Sequence, residues 1–471
     1  MPAAGYLSNK NTLSIRQMKP VVKSSWLSFL KITTAQALLL GYLTMIVAGG
    51  ILLMLPVSLE AENTISFLDA VFTSASAISG AGLTVVDTGS FFSYFGITVI
   101  LVLIQIGNIG YMLFFALAVI LFKRRLSLAN KMMIKESISI SQLGLALFIK
   151  KVFKYTLIIE GIAAFFLTLF WLQEYPLLKA LGLGIFFSVS SFCTAGFSVF
   201  GDSISGYSHN WYVSSVIMIT SYLGACGFFV LYDMSQFFRY KLQKKPDRYR
   251  LSTHTKLVLV VSLSLMMGGG LFIFISENLL HPSGYQESFL ESLFQSVSAS
   301  TSVGLTSTSI PDYNFSSLLI LMMLMFIGGS PSGTGGGIKT TVFAITVASL
   351  YTFLADRKQL AFFKRSISTK AIARASAISF LAFGWFFLTL LILSFSDPDI
   401  PVFSLAFESV SAIACNGIST GITPQLSDVS KFTIIISVLI GRVGPLIVGY
   451  SLIGRTEKID YEYPQGHILI V

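Results

Sequence analysis

One short pattern, Phe-x-Ser-x-Ser-x5-Gly, recurs four times along the chain and constrains the fold more than any other feature. It reads Phe72, Ser74, Ser76 and Gly82; Phe186, Ser188, Ser190 and Gly196; Phe294, Ser296, Ser298 and Gly304; Phe407, Ser409, Ser411 and Gly417. Successive glycines lie 114, 108 and 113 residues apart. A repeat at near-constant period is one structural unit used again. Each copy sits in an apolar stretch of roughly 14 residues, near 66–79, 180–193, 288–301 and 402–415. A crossing helix needs about 20 apolar residues, so these stretches are too short to span a bilayer and suit re-entrant segments. Close packing of small residues would explain an excess of Ser and Gly, but not identical spacing in four places.

Longer apolar runs flank each short one, near 35–57, 92–122, 152–172, 212–238, 256–276, 315–353, 375–395 and 432–454, which predicts eight spans. The run 315–353 exceeds one straight span and is broken by glycines at its middle. Only 11% of residues are charged while 54% are hydrophobic. Soluble domains carry roughly 25% charged residues. A soluble enzyme, a disordered chain and a nucleic-acid binder are therefore excluded. The three cysteines rule out a disulfide scaffold. Residues 1–30 hold Lys10, Arg16, Lys19 and Lys23 but no apolar core of a cleavable signal.

Charge sets the sidedness. The stretch 123–154 has eight bases and one acid, 239–256 has seven and one, and 356–374 has six and one. The stretches bearing the short segments, 58–91, 173–211, 277–314 and 396–431, together hold 14 acids and two bases, Lys179 and Lys431. The positive-inside rule places the basic loops and both termini in the cytoplasm. The acidic side then faces out, where it concentrates cations.

The expected fold is an all-α polytopic membrane protein. Four span–pore helix–span repeats, with eight transmembrane helices and four re-entrant pore loops, surround a pseudo-fourfold pore. The units are 31–125, 150–240, 253–355 and 370–456, between a cytoplasmic N-terminal tail 1–30 and a C-terminal tail 457–471. Non-helical backbone at membrane depth is tolerated only when buried in protein or lining a watery path. A ring of loop carbonyls can replace an ion's hydration shell. Short helices aim their negative carbonyl ends at such a path.

The chain resembles the Trk/Ktr/HKT superfamily of potassium transporters and, within it, the KtrB-type membrane subunits of bacterial Ktr systems. The resemblance rests on Gly82–Gly89, on the glycine-rich segment from Gly328 to Thr340, on the stretch from Gly441 to Leu446 and on the C-terminal stretch from Tyr463 to Val471. It implies potassium uptake through a channel-like filter in the plasma membrane, with sodium as a candidate activator. It implies a homodimer and a cytoplasmic, KtrA-like ring of RCK-type regulatory subunits. Nucleotide of the ATP/ADP or NAD type is expected on that ring, not on this chain. The potassium-binding filter carried over from the family comprises Gly80, Ala81 and Gly82; Thr194, Ala195 and Gly196; Ser302, Val303 and Gly304; Cys415, Asn416 and Gly417. Gly80-Ala81 stands where the family usually has a bulkier, more polar pair. Glycine at all four filter positions favours potassium over sodium. The resemblance also makes Gly328, Gly329, Ser330, Pro331, Ser332, Gly333, Thr334, Gly335, Gly336 and Gly337 the gate, with Arg442 and Lys339 beneath the filter.

Other readings were weighed on the residues. The glycines before Lys339 do not form a phosphate loop, because Ile338 separates glycine from lysine and no soluble strand precedes them. A packing kink is the plainer account of that segment. A salt bridge to Asp233 or Glu160 is the plainer account of Arg442. His209, His254, His281 and His467 lie at no metal-ligand spacing. Gly182-Leu-Gly184 is no dinucleotide fingerprint, and no catalytic constellation appears. A sodium-permeable or sodium-coupled secondary transporter is the competing function. Such folds show inverted repeats with midplane breaks, whereas these repeats share one orientation and carry their loops on the outer side.

Overall fold

The computed structural model describes residues 34–121, 145–243, 249–280 and 288–444. Both tails, most of the basic loop after the second predicted span and the end of the last span lie outside them. The structure is a mostly helical, polytopic fold. In chain order the helices are α1 (Thr34–Leu53), α2 (Phe67–Ser79), α3 (Tyr94–Leu121), α4 (Leu145–Trp171), α5 (Leu177–Phe192), α6 (Trp211–Ala225) and α7 (Phe228–Leu242). They continue with α8 (Thr253–Leu280), α9 (Phe289–Thr301), α10 (Phe315–Ile327), α11 (Thr340–Leu354), α12 (Thr369–Ser396), α13 (Val402–Ala414) and α14 (Asp428–Val443).

Among the described residues three helices are long and apolar enough to cross a membrane: Lys150–Trp171 in α4, Thr253–Leu279 in α8 and Thr369–Ser396, which is α12. Helices α6 and α7 pass the same test only together, and they are bent by 102° at their junction. The predicted straight span 212–238 is therefore two helices at nearly a right angle. The cause lies at Gly227, which has φ +96° and packs against the Pro331 carbonyl where a side chain would stand. Helices α10 and α11 are likewise separate, with the glycine-rich segment between them.

The four short helices α2, α5, α9 and α13 carry the repeated motif. Ser66 caps α2 by accepting from the Asp69 N–H, and Ser288 with Glu291 forms a capping box on α9. Pro176 and Pro401 precede α5 and α13, where the absent N–H costs nothing. The motif phenylalanines Phe72, Phe186, Phe294 and Phe407 are all buried. Outward-facing apolar side chains such as Leu157, Phe165, Phe380 and Phe395 are exposed, as a lipid-facing surface requires. A two-stranded antiparallel hairpin, β1 (Ala361–Phe362) with β2 (Arg365–Ser366), links α11 to α12.

Candidate ion pathway

Each short helix ends the same way. Just past its end one residue takes a left-handed conformation: Gly80 has φ +66°, Ser302 +62° and Cys415 +48° directly after their helices, and Thr194 has φ +50° one residue further on, beyond Cys193. The next residue's N–H reaches back to the carbonyl of the second motif serine: Ala81 to Ser76 at 2.8 Å, Ala195 to Ser190 at 2.8 Å, Val303 to Ser298 at 3.1 Å and Asn416 to Ser411 at 3.0 Å. This is the six-to-one bond of a Schellman ending. It fixes the direction in which all four loops leave their helices. Gly80 departs from the family pattern in sequence but not in backbone, since glycine reaches this conformation more easily than Thr, Ser or Cys.

The four following glycines meet. A Cβ built on Gly82 would stand 2.8 Å from the Ala195 carbonyl oxygen, 3.0 Å from the Gly196 Cα and 3.2 Å from the Gly417 Cα. One on Gly196 would face the Val303 carbonyl at 2.6 Å, one on Gly304 would strike the Asn416 carbonyl, and one on Gly417 would face the Ala81 carbonyl at 2.7 Å. The glycines thus close a ring in chain order. Each presses against the carbonyl of the residue before the next glycine. Eight of the twelve residues of the predicted filter, the four glycines and the residue before each, meet here, and each pair follows the left-handed residue that ends a short helix.

The motif serines explain their own spacing. The first serine ties its helix to the preceding one: Ser74 donates to Ile46 O at 2.8 Å, Ser188 to Glu160 O at 2.6 Å and Ser296 to Met266 O at 2.7 Å. Ser409 instead donates within its own helix, to Leu405 O at 2.7 Å. In the second, third and fourth units the second serine fastens the loop at or beyond the glycine, whereas Ser76 Oγ has no hydrogen-bond partner among the described residues. Ser190 donates to Phe197 O at 2.8 Å and Ser298 to Leu305 O at 2.6 Å, while Ser411 accepts from the Gly417 N–H at 3.1 Å. Sequence reading found these positions but gave them no work to do.

The glycine-rich segment lies directly below. A Cβ on Gly335 would stand 2.6 Å from the Thr301 carbonyl, and one on Gly336 would strike the Ala414 carbonyl. Gly107, Gly224 and Gly441 abut the carbonyls of Ile78, Phe192 and Ile413 in the same manner. One glycine per unit therefore packs beneath each short helix, and Gly335 supplies the third. Gly107 and Gly224 lay hidden among ordinary small residues of apolar spans, whereas Gly441 opens a stretch already singled out in the sequence.

The segment is more firmly held than its composition predicts. Ser330 and Thr334 N–H groups donate to Ala225 and Gly224 carbonyls at 2.9 and 3.1 Å. Thr334 Oγ1 donates to Phe192 O at 3.0 Å, and Ser330 Oγ pairs with Thr340 Oγ1 at 2.9 Å. Gly329 pairs with Gly336 at 3.1 Å, and the Ile338 and Lys339 N–H groups reach Phe326 and Ile327. Gly328 and Gly337, each with positive φ, pack Cα against Cα. Pro331, Ser332 and Gly333 surround Gly227 at the α6–α7 bend, and Ser332 O accepts from the Phe228 N–H at 3.1 Å.

Two cations meet this segment. Lys339 Nζ donates to the Gly335 and Gly336 carbonyls at 2.5 and 3.2 Å. Arg442 donates to the Thr334 carbonyl and to Asn108 Oδ1. Neither carboxylate proposed as its partner meets it. Asp233 accepts from Tyr249, Ser252 and Thr255, and Glu160 from Gln105. Asn108 was missed from sequence. It sits beside Gly80, beneath the first loop, and its signal was a polar amide within an apolar span.

Comparisons with known proteins identify the family and the fold. The family model described as "TrkH: Cation transport protein" matches residues 11–453. The Ktr system potassium uptake protein B of Bacillus subtilis is 33% identical over 451 residues, covering 95% of this chain and 98% of that protein. The potassium/sodium uptake protein NtpJ of Enterococcus hirae is 30% identical over 454 residues, covering 93% of this chain and 98% of that protein. Among solved structures, the potassium transporter TrkH of Vibrio parahaemolyticus superposes with a TM-score of 0.69 at 20% identity, over 90% of this chain and 86% of that one. Its fold is shared, and the chain, a multi-pass membrane protein, belongs to the TrkH family of cation transport proteins.

Proposed function

We propose that this chain is the potassium-conducting membrane subunit of a Ktr-type uptake system. The observation that carries the reading is the closed ring of Gly82, Gly196, Gly304 and Gly417, with the Ala81, Ala195, Val303 and Asn416 carbonyls packed into it. Backbone carbonyls replace the water around a cation without offering it a fixed negative charge, so the ion can leave again. Seven predicted spans, with the bent α6–α7 pair in place of the eighth, form four units of one orientation around this ring, with both termini in the cytoplasm. The segment from Gly328 to Gly337 is the gate. It obstructs the path below the ring and opens when its bonds to α6 and to Arg442 give way. Cytoplasmic nucleotide-binding subunits control it, the membrane subunit works as a homodimer, and sodium acts as an activator.

A second reading, sodium permeation, is favoured by the name of the Enterococcus relative, which includes both ions. One experiment separates the two. The protein is expressed in a strain lacking potassium uptake, and rubidium and sodium influx are measured with and without a Ktr-type cytoplasmic subunit. Saturable rubidium influx that Gly82→Ser makes less selective against sodium supports the filter. Sodium influx equal to rubidium influx in the parent supports the second reading. Unchanged selectivity when each ring glycine is replaced in turn by serine overturns the filter.

A further inference from the structure

Helix α6 contains 15 residues. At 1.5 Å per residue it is ~22 Å long, short of the ~30 Å hydrocarbon layer. It starts on the acidic, outer side and therefore stops within the inner leaflet. Helix α7 leaves it at 102° and so runs along the membrane plane, not through it. In-plane helices settle about 5–10 Å into the boundary between headgroups and acyl chains, with apolar and basic residues together. The far end of α7 has that character: Phe238 and Leu242 are 53% and 82% exposed, between exposed Arg239 and Lys241.

Helix α4 enters the membrane beside it. Tyr155 Oη pairs with Ser235 Oγ at 2.8 Å, and Lys151 Nζ lies 4.2 Å from the Tyr232 ring centroid. Lys150 and Lys154 are exposed on the same first turns of α4. Among the described residues no acid forms an ion pair with these bases. Asp233, the one acid of α7, is buried and already accepts from Tyr249 Oη at 2.5 Å, the Ser252 N–H at 3.0 Å and Thr255 Oγ1 at 2.6 Å.

We propose that the junction of α4 and α7 is a binding site for an anionic phospholipid of the inner leaflet, and that lipid bound there holds the glycine-rich segment seated. Lys154, Arg239 and Lys241 take the phosphate headgroup, while Phe238 and Leu242 enter the acyl region. Basic clusters between helices on the cytoplasmic side suit such headgroups, and each base near the surface adds about fivefold to binding. The link to the segment is short. The first two N–H groups of α7, from Phe228 and Phe229, donate to Ser332 O at 3.1 Å and Ser332 Oγ at 3.5 Å. Fixing α7 in the plane fixes Ser332. The second clause rests on the gate assignment above, whereas the lipid site does not.

The test uses the full-length protein in vesicles of dioleoyl phosphatidylcholine, with or without about a third dioleoyl phosphatidylglycerol. Lipid retained through purification is counted by native mass spectrometry, and rubidium flux is measured first without and then with a Ktr-type cytoplasmic subunit. The parent is expected to retain phosphatidylglycerol over phosphatidylcholine and to conduct several-fold less when it is present. The triple variant Lys154→Gln, Arg239→Gln, Lys241→Gln loses both effects, and the charge-keeping Lys154→Arg, Lys241→Arg variant keeps both. Equal retention by parent and triple variant overturns the site. Retention lost in the triple variant, with flux indifferent to lipid in the parent, overturns the coupling and leaves the gate to its own test. If the triple variant keeps its lipid but loses its response to the cytoplasmic subunit, the surface serves that protein and the proposal fails.

Discussion

Arg442 and Lys339 place two positive charges immediately below carbonyls that lack any fixed negative partner, and both spend their donors on the backbone of one segment. Arg442 bonds the Thr334 carbonyl, and Lys339 bonds those of Gly335 and Gly336. Among the described residues no carboxylate pairs with this guanidinium, so under the proposed reading its charge faces the ion path, where a poorly solvated cation feels it strongly. Its position depends on Asn108, whose Oδ1 accepts from it while Nδ2 is anchored to Ile104 O at 3.1 Å. Asn108 is thus a positioning residue. Arg442→Gln is expected to raise maximal rubidium flux or change its rectification, and Asn108→Ala to shift it the same way by a smaller factor. The double variant should match Arg442→Gln alone, giving a coupling of roughly 0.5–3 kcal/mol in the cycle. The check is flux per folded protein, quantified by size-exclusion chromatography. Additive effects would mean that Asn108 acts on the first loop directly and not through the arginine.

At the scale of the element, the repeated unit is a short helix whose serines tie it to the preceding helix or fasten its own loop. The ties are not equivalent, and that makes them testable. Ser188 and Ser296 bond carbonyls of α4 and α8, whereas Ser409 bonds only its own helix. Alanine at Ser188 or Ser296 removes a buried tie between two helices and should cost about 1–3 kcal/mol. At Ser409 the lost bond is local and the carbonyl already serves the helix, so the cost should be smaller. Thermal unfolding in one detergent ranks the three, and a Ser409→Ala variant as unstable as the others would refute the distinction. The motif was legible because a fixed spacing survives in the linear sequence. What the hydroxyls bond was not, because the partners of Ser74, Ser188 and Ser296 lie in the preceding helix, about thirty residues earlier, and those of the second serines lie in the loop. The α6–α7 bend was hidden for a similar reason. The residues 212–238 read as one apolar run, and the break at Gly227 is imposed by the Pro331 carbonyl, about a hundred positions later. Composition offers the glycine-rich segment only low helix propensity and few apolar side chains to bury. It could not count backbone bonds to Gly224, Ala225, Phe326 and Ile327, which hold the segment without any apolar side chain.

Across the whole molecule, a ring of four units has four seams, and each one described is fastened by polar groups. Gln105 reaches Glu160 at 3.0 Å between the first and second units. The Ile204 N–H reaches Thr306 O at 3.1 Å between the second and third, and Asn416 Nδ2 reaches Ala299 O at 2.8 Å between the third and fourth. The last seam joins the end of the chain to its beginning. There Lys431, at the start of α14, meets Asp69, in the first turn of α2, at 2.7 Å. Lys431 is one of only two bases on the acidic face, and this contact accounts for its presence. Both side chains are largely buried, at 11% and 24% exposure, so the pair lies between the nearly neutral surface bridge and the costly buried one. Removing one charge strands the other and should cost roughly 1–3 kcal/mol. Asp69 also accepts from Ser66 Oγ at 2.8 Å at the start of α2, so Asp69→Asn preserves the cap better than alanine would. The expected pattern is that Asp69→Asn and Lys431→Gln each lower the unfolding temperature, while the double variant falls no further than the worse single one. The seam also holds the Gly82 loop against the Gly417 loop, so each single variant should lose discrimination of rubidium from sodium under conditions where it remains folded. Loss of stability with unchanged selectivity would separate ring closure from ion recognition, and fully additive instability would show that the two side chains are not a pair.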